Sequence, residues 1–269
     1  MTTYNDVPGL LAALDADVLR LTLDRPAQRN AVDDVMLDAL IGYIAAAAQD
    51  ERVRVIRIDA VGPDFCAGAD LIARNATGER KPRVGSMQRR LPTKANRLIP
   101  VMVEAQTPIV CVVHGWTAGL GFHIALAADF CLAADDARFW EPFMARGFSP
   151  DSGAAWLLPR VIGLVRSRKL LMLGDELSGA MAADWEIIHG AFPAAELSRA
   201  ADDLVARLAS APTVALGLTK WLLHSGHGLD LDRHLQNEAL ALELSSRSED
   251  FREGLSAFRD KRTPLFSGR

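Results

Sequence analysis

The sequence predicts an α/β fold followed by a helical tail, and three observations carry that expectation. Strand-like runs at 18–23, 53–60, 109–113 and 130–133 are interspersed with helix-patterned text at 33–49 and 119–128. Two of those runs lead into glycine-containing turns, Phe65-Cys66-Ala67-Gly68-Ala69-Asp70-Leu71 and Gly115-Trp116-Thr117-Ala118-Gly119-Leu120-Gly121. From residue 164 onward the text is largely helical, with helices expected at 164–173, 193–210, 213–224, 229–247 and 248–261.

Taken in order, the run Val53-Arg54-Val55-Ile56-Arg57-Ile58 is β-branched and precedes the first turn. A polar stretch rich in glycine and basic residues, 74–94, follows that turn and reads as a loop or irregular helix beside it. Ile109-Val110-Cys111-Val112-Val113 precedes the second turn, which runs into the apolar stretch Phe122-His123-Ile124-Ala125-Leu126-Ala127-Ala128. Both places read as strand, tight turn and helix start. Small residues let a ligand approach the main chain, and N–H groups at a helix start favour negative charge. Two such turns facing one another would hold a developing oxyanion.

Composition narrows the classes. With 269 residues and 49% apolar content the chain can bury one large core or two small ones. A net charge of -4 offers no electrostatic case for nucleic-acid binding, although a local basic patch for phosphates is compatible with it. Cys66, Cys111 and Cys131 lie in apolar contexts without metal-ligand spacing, so reduced, buried thiols are expected. The N-terminus lacks the basic and apolar pattern of a signal peptide, and no segment offers about 20 uninterrupted apolar residues. A soluble cytoplasmic protein with no membrane or nucleic-acid partner is therefore expected. No HExxH, paired CxxC, P-loop or dinucleotide GxGxxG occurs, so neither a metal nor a nicotinamide is implied.

At its two turns the chain resembles the crotonase superfamily, the enoyl-CoA hydratase/isomerase family. The resemblance extends through Leu23-Asp24-Arg25-Pro26-Ala27-Gln28-Arg29-Asn30-Ala31, Leu157-Leu158-Pro159-Arg160-Val161-Ile162-Gly163 and the ending from Glu249 to Pro264. It implies a spiral of β-β-α turns over 1–195 and a C-terminal helical region over 196–269 that builds a homotrimer or a dimer of trimers. Leu177-Ser178-Gly179 stands where the family carries a short helix capped by Ser or Thr. The implied substrate is an acyl-CoA thioester, with coenzyme A entering as part of the substrate and no permanent cofactor.

Family placement maps the N–H groups of Ala69 and Leu120 onto an oxyanion hole for the thioester oxygen. Where the family often has three successive glycines, this chain reads Gly119-Leu120-Gly121, so the leucine side chain narrows the acyl pocket and leaves the donor intact. A hydratase of this family carries one glutamate at the position of His123 and another at that of Phe143, and both are replaced here. Phe139 and Gly147 anchor the segment without a gap, so Glu141 falls at a different position. Asp151 matches an aspartate that moves a proton along the acyl chain in the family's dienoyl-CoA and ring-epoxide isomerases. Beside apolar neighbours Phe143, Leu120 and Trp140 it would be a usable base near neutral pH. The competing role for Asp151 is the N-cap of the helix starting near Gly153, which Ser152 would also serve.

His123 is either a core histidine with satisfied hydrogen bonds or a catalytic one that orients water, accepts a proton or bonds Asp151. Asp129 resembles a structural aspartate of the family. For the coenzyme, the resemblance places Ala67, Gly68, Asp70 and Leu71 along adenine and pantetheine, Arg25 and Arg29 near the phosphates, and Phe258 and Lys261 against the coenzyme of an adjacent subunit. Thr117, Gly119, Trp140 and Phe143 would line the acyl pocket. A single carboxylate at Asp151 suits isomerisation of an enoyl-CoA best, with hydration, C–C bond hydrolysis and a non-catalytic acyl-CoA-binding protein as the alternatives.

Overall fold

The computed structural model describes residues 2–70 and 83–269. A six-stranded sheet has the order β1-β2-β3-β4-β6-β9, formed by β1 (Leu10–Asp15), β2 (Val18–Leu23), β3 (Val55–Ala60), β4 (Ile109–Val113), β6 (Phe130–Ala134) and β9 (Gly190–Phe192). Beside it lies a three-stranded sheet of β5 (Trp116–Ala118), β7 (Arg138–Trp140) and β8 (Leu177–Ser178). Apart from the β1–β2 hairpin the large sheet is parallel. That explains why all five residues of β4 are buried: a parallel strand covered on both faces carries a continuous apolar run.

Helices α1 (Asp34–Ala47), α2 (Ser86–Arg90), α3 (Leu98–Glu104), α4 (Leu120–Ala127), α5 (Ala154–Arg168) and α6 (Gly179–Asp184) intervene between or follow the strands. After β9 the chain is helical: α7 (Ala194–Ala209), α8 (Thr213–Ser225), α9 (Leu231–Ser245) and α10 (Glu249–Asp260). The first of these, α7, packs against β3, β4, β6 and β9, so it closes one face of the large sheet. Ser178 caps α6 by accepting from the Met181 N–H at 3.1 Å, as the sequence led us to expect.

Three differences from the sequence expectations have physical causes. The helix expected at 164–173 begins ten residues earlier, is broken at Gly163 (φ 70°, ψ 170°), and ends in a wide turn at Lys169–Leu173. Strand β1 reads Leu-Leu-Ala-Ala-Leu-Asp, with no β-branched residue, and is extended because every residue pairs with β2. Of the polar stretch 74–94, residues 83–94 hold α2 and one 3-10 segment, Leu91–Thr93, at their C-terminal side, while the remainder lies outside the described residues. All three cysteines are buried and free, and burial pushes the Cys66 thiol up to about 12, so these are inert packing groups.

Among the described residues no helix is long and apolar enough to cross a membrane.

Candidate active site

The site is assembled where the two glycine turns are stitched together. Cys66 bridges Thr117: its N–H donates to the Trp116 carbonyl and its carbonyl accepts from the Ala118 N–H, both at 2.9 Å. On the other side Val32 bridges Ala69, with the Val32 N–H reaching Gly68 and the Asp70 N–H reaching Val32. In a parallel bridge of this kind Ala69 turns its own N–H away from Val32. Neither that N–H nor the N–H of Leu120 has an acceptor among the described residues.

Glycine is required at the closest approach. Gly68 has φ +100°, and a Cβ there would stand 2.9 Å from the Ala118 oxygen and 3.6 Å from the Leu120 nitrogen. A Cβ on Gly121 would meet the Cys66 oxygen at 2.5 Å. The two main chains therefore lie against each other with two free donors on facing turns, one at the start of α4.

The adjacent strand pair brings the proton-bearing groups to the same place. Ala118 pairs with Trp140, and the Gly119 N–H donates to the Trp140 carbonyl at 3.0 Å. The next residue, Glu141, is thereby directed at His123 in the first turn of α4. Its carboxylate oxygens lie 3.1 and 3.2 Å from His123 Nε2, and both side chains are fully buried. Burial pushes the Glu141 carboxyl up from its ordinary range, His123 opposes this, and the negative charge of Asp151 adds to it. Phe143 stacks on the imidazole, rings 6.0 Å apart and 11° from parallel. His123 thus bonds Glu141 rather than Asp151, and its Nδ1 is buried without a partner among the described residues. An unpaired buried polar atom costs about 1–3 kcal/mol, so a place like this calls for an explanation.

Asp151 is half-buried just ahead of α5. It does not cap that helix: the cap position is Gly153, with no side-chain bond, and only the Asp151 main-chain carbonyl is used, accepting from the Ala154 N–H at 3.1 Å. Ser152 is not the cap either. Asp129 is structural, as expected, accepting from the Ile109 N–H and from Lys220.

Several predicted contacts converge on one small cavity of about 120 Å³, lined by Arg29, Ala67, Trp116, Ala118, Trp140 and Arg146. Trp116 and Trp140 meet edge to face at 6.0 Å. His123, Phe143, Leu120 and Asp151 lie outside its lining. Arg25 is engaged within the fold, giving one guanidinium nitrogen to the Ala31 carbonyl and facing the carboxylates of Asp70 and Asp33. Arg29 is mostly exposed, 3.6 Å from Asp64. Thr117 is fully buried and its hydroxyl lacks a partner. Phe258 and Lys261 are exposed on the last helix and its C-terminal cap, and Leu71 lies outside the described residues. A larger hollow of about 500 Å³ opens between β2, β3 and α7, but its buried cation Arg57 is matched by Asp59 and Asp202.

Sequence reasoning set Glu141 aside as lying off the family's glutamate position, keeping it only as a fallback base, and did not single out Trp116 or Arg146 as site residues. The pairing of β5 with β7 is the signal that would have found Glu141, because it sets residue 141 opposite the entry to α4. Among the described residues no cluster of three or more His, Cys, Asp or Glu is arranged to hold a metal ion.

This combination of a crotonase-type α/β fold and two abutting glycine turns defines a class, and comparison with known proteins agrees. Residues 14–269 match the family model described as enoyl-CoA hydratase/isomerase, and the chain belongs to that family. It is 36% identical to 1,2-epoxyphenylacetyl-CoA isomerase of Escherichia coli (strain K12), over 97% of this chain and 98% of that protein. It is 29% identical to trans-2-decenoyl-acyl-carrier-protein isomerase of Streptococcus mutans, over 98% and 100%. The crystal structure of an enoyl-CoA hydratase from Bacillus anthracis superimposes with a TM-score of 0.89 at 26% identity, over 97% of this chain and 100% of that one.

Proposed function

We propose that this chain is an acyl-CoA enzyme that isomerises an enoyl or cyclic acyl thioester, using Asp151 as the acid/base. The observation that carries this is the division of carboxylates: Asp151 has no capping duty, and Phe143 holds the position where a hydratase of the family has a glutamate. One carboxylate suits removing a proton from one carbon and returning it to another. Syn-hydration as usually drawn uses two.

In this reading the thioester oxygen accepts from the N–H groups of Ala69 and Leu120, which have no other acceptor among the described residues. As Asp151 takes a proton, the C–H electron pair moves into the thioester and negative charge grows on that oxygen. Preformed donors aimed at that charge need no reorganisation, and losing one typically costs a factor of about 10² to 10³ in rate. Leu120 and Phe143 restrict the acyl pocket, and Arg29, Ala67, Trp116 and Trp140 form the approach for pantetheine and nucleotide. The 36%-identical relative from Escherichia coli is named as an acyl-CoA isomerase, which supports the same choice.

Calorimetry with crotonyl-CoA and acetyl-CoA against crotonate and acetate tests it. Thioesters are expected to bind far more tightly, because much of the contact surface is for the nucleotide and pantetheine. Equal affinity for acid and thioester would remove this function, and thioester binding without α-proton exchange would leave an acyl-CoA-binding protein.

A further inference from the structure

Four buried side-chain polar atoms among the described residues lack a partner, and two of them, Thr117 Oγ1 and His123 Nδ1, belong to the segment that presents the Leu120 N–H. The other edge of the His123 ring is fully committed. Glu141 holds Nε2 with both carboxylate oxygens at 3.1–3.2 Å, and Phe143 covers a ring face. A ring so held can bond a ligand only through Nδ1.

We propose that Glu141 is a positioning residue: it holds His123 by Nε2 and so leaves Nδ1 as the acceptor of a hydrogen bond brought in with the acyl substrate, while Asp151 moves the proton. This rests on the acyl-CoA reading of the site. His123 is closed from solvent, so a donor for Nδ1 has to enter with the substrate, as a polar group of the acyl chain or a water carried beside it. Asp151 remains the group that takes the carbon-bound proton, and the hydrogen bond at Nδ1 orients the substrate for that step. Nothing is oxidised or reduced, and no co-reactant is consumed. Among the described residues the titratable groups bearing on the Glu141 carboxyl are His123 and Asp151.

Nitrogen NMR of histidine-labelled protein, with and without butyryl-CoA, reads the ring directly. Nε2 is expected to carry the proton in the free protein, and the Nδ1 signal is expected to move when the thioester binds. Glu141→Gln should retain thioester affinity within about 2-fold, lower α-proton exchange by about 10- to 100-fold and alter its pH profile. Glu141→Asp should restore part of the loss, and Glu141→Gln added to His123→Gln should cost nothing further. A ring protonated on Nδ1 and indifferent to the thioester overturns the assignment. So does a Glu141→Gln loss that adds in full to that of His123→Gln. If Glu141→Gln does not fold, the wild-type spectra and Glu141→Asp decide. Wild type that binds thioester without exchanging protons overturns the enzymatic reading, whereas normal exchange in Glu141→Gln overturns the role of Glu141 alone.

Discussion

At the scale of single residues, the chemistry rests on which side chains are already occupied. Arg25 and Asp129 are tied into the fold by ion pairs, whereas the Asp151 carboxylate has no hydrogen-bond donor among the described residues. Asp151→Asn is therefore expected to lower α-proton exchange of a saturated acyl-CoA by about 10² to 10⁴ while leaving CoA affinity nearly intact. Exchange into deuterated water, followed by NMR, measures this without knowledge of the natural substrate. Equal exchange by wild type and Asp151→Asn would transfer the role of base to His123. Asp151 was legible in the sequence through its place in a matched motif. Glu141 was not, because its importance comes from meeting a side chain 18 positions earlier through strand pairing, and no local pattern encodes that contact.

Among the elements, those with strong local signals were legible to within one or two residues: β2 and β4 by their apolar and β-branched text, α4 by the glycine turn that starts it, and α8 by its helical text. The three-residue strands β5, β7 and β9 were not, since a segment so short is extended because of its neighbours and has no period of its own. A buried ion pair joins the helical tail to the core in the same nonlocal way. Lys220 on α8 donates to the Met102 carbonyl at 2.9 Å and to Asp129 at 2.7 Å, and Asp129 in turn accepts from the first N–H of β4. Burial pushes the Lys220 ammonium below its ordinary range and Asp129 opposes that shift. Lys220→Met should destabilise the fold by about 3–5 kcal/mol in denaturant unfolding, because it leaves a nearly buried carboxylate without its cation. Asp129→Asn in the same chain should recover part of the loss, since an asparagine oxygen still accepts from Ile109. Full additivity of the two losses would show that the pair is not the reason.

For the molecule as a whole, the helical tail leaves an amount of apolar surface that a single chain does not account for. Leu231, Leu235 and Leu242 on α9 are 69%, 49% and 65% exposed, and Leu255 and Phe258 on α10 are 57% and 87% exposed. Val165, Met172 and Leu173 add further exposed apolar side chains at and beyond the end of α5. Isolated exposed leucines are ordinary, but many on successive elements mark an association surface. We propose that this chain associates through that surface, and the family resemblance of the ending implies a trimer or a dimer of trimers. Light scattering on dilute protein should then give about three or six times the 29.2 kDa chain mass. Lys261 follows Phe258 at the end of α10 and is exposed, and we propose that it meets the coenzyme of a neighbouring subunit. If so, Lys261→Ala should weaken CoA binding in the oligomer without dissociating it. A stable monomer with full activity would refute both the association and the cross-subunit role of Lys261.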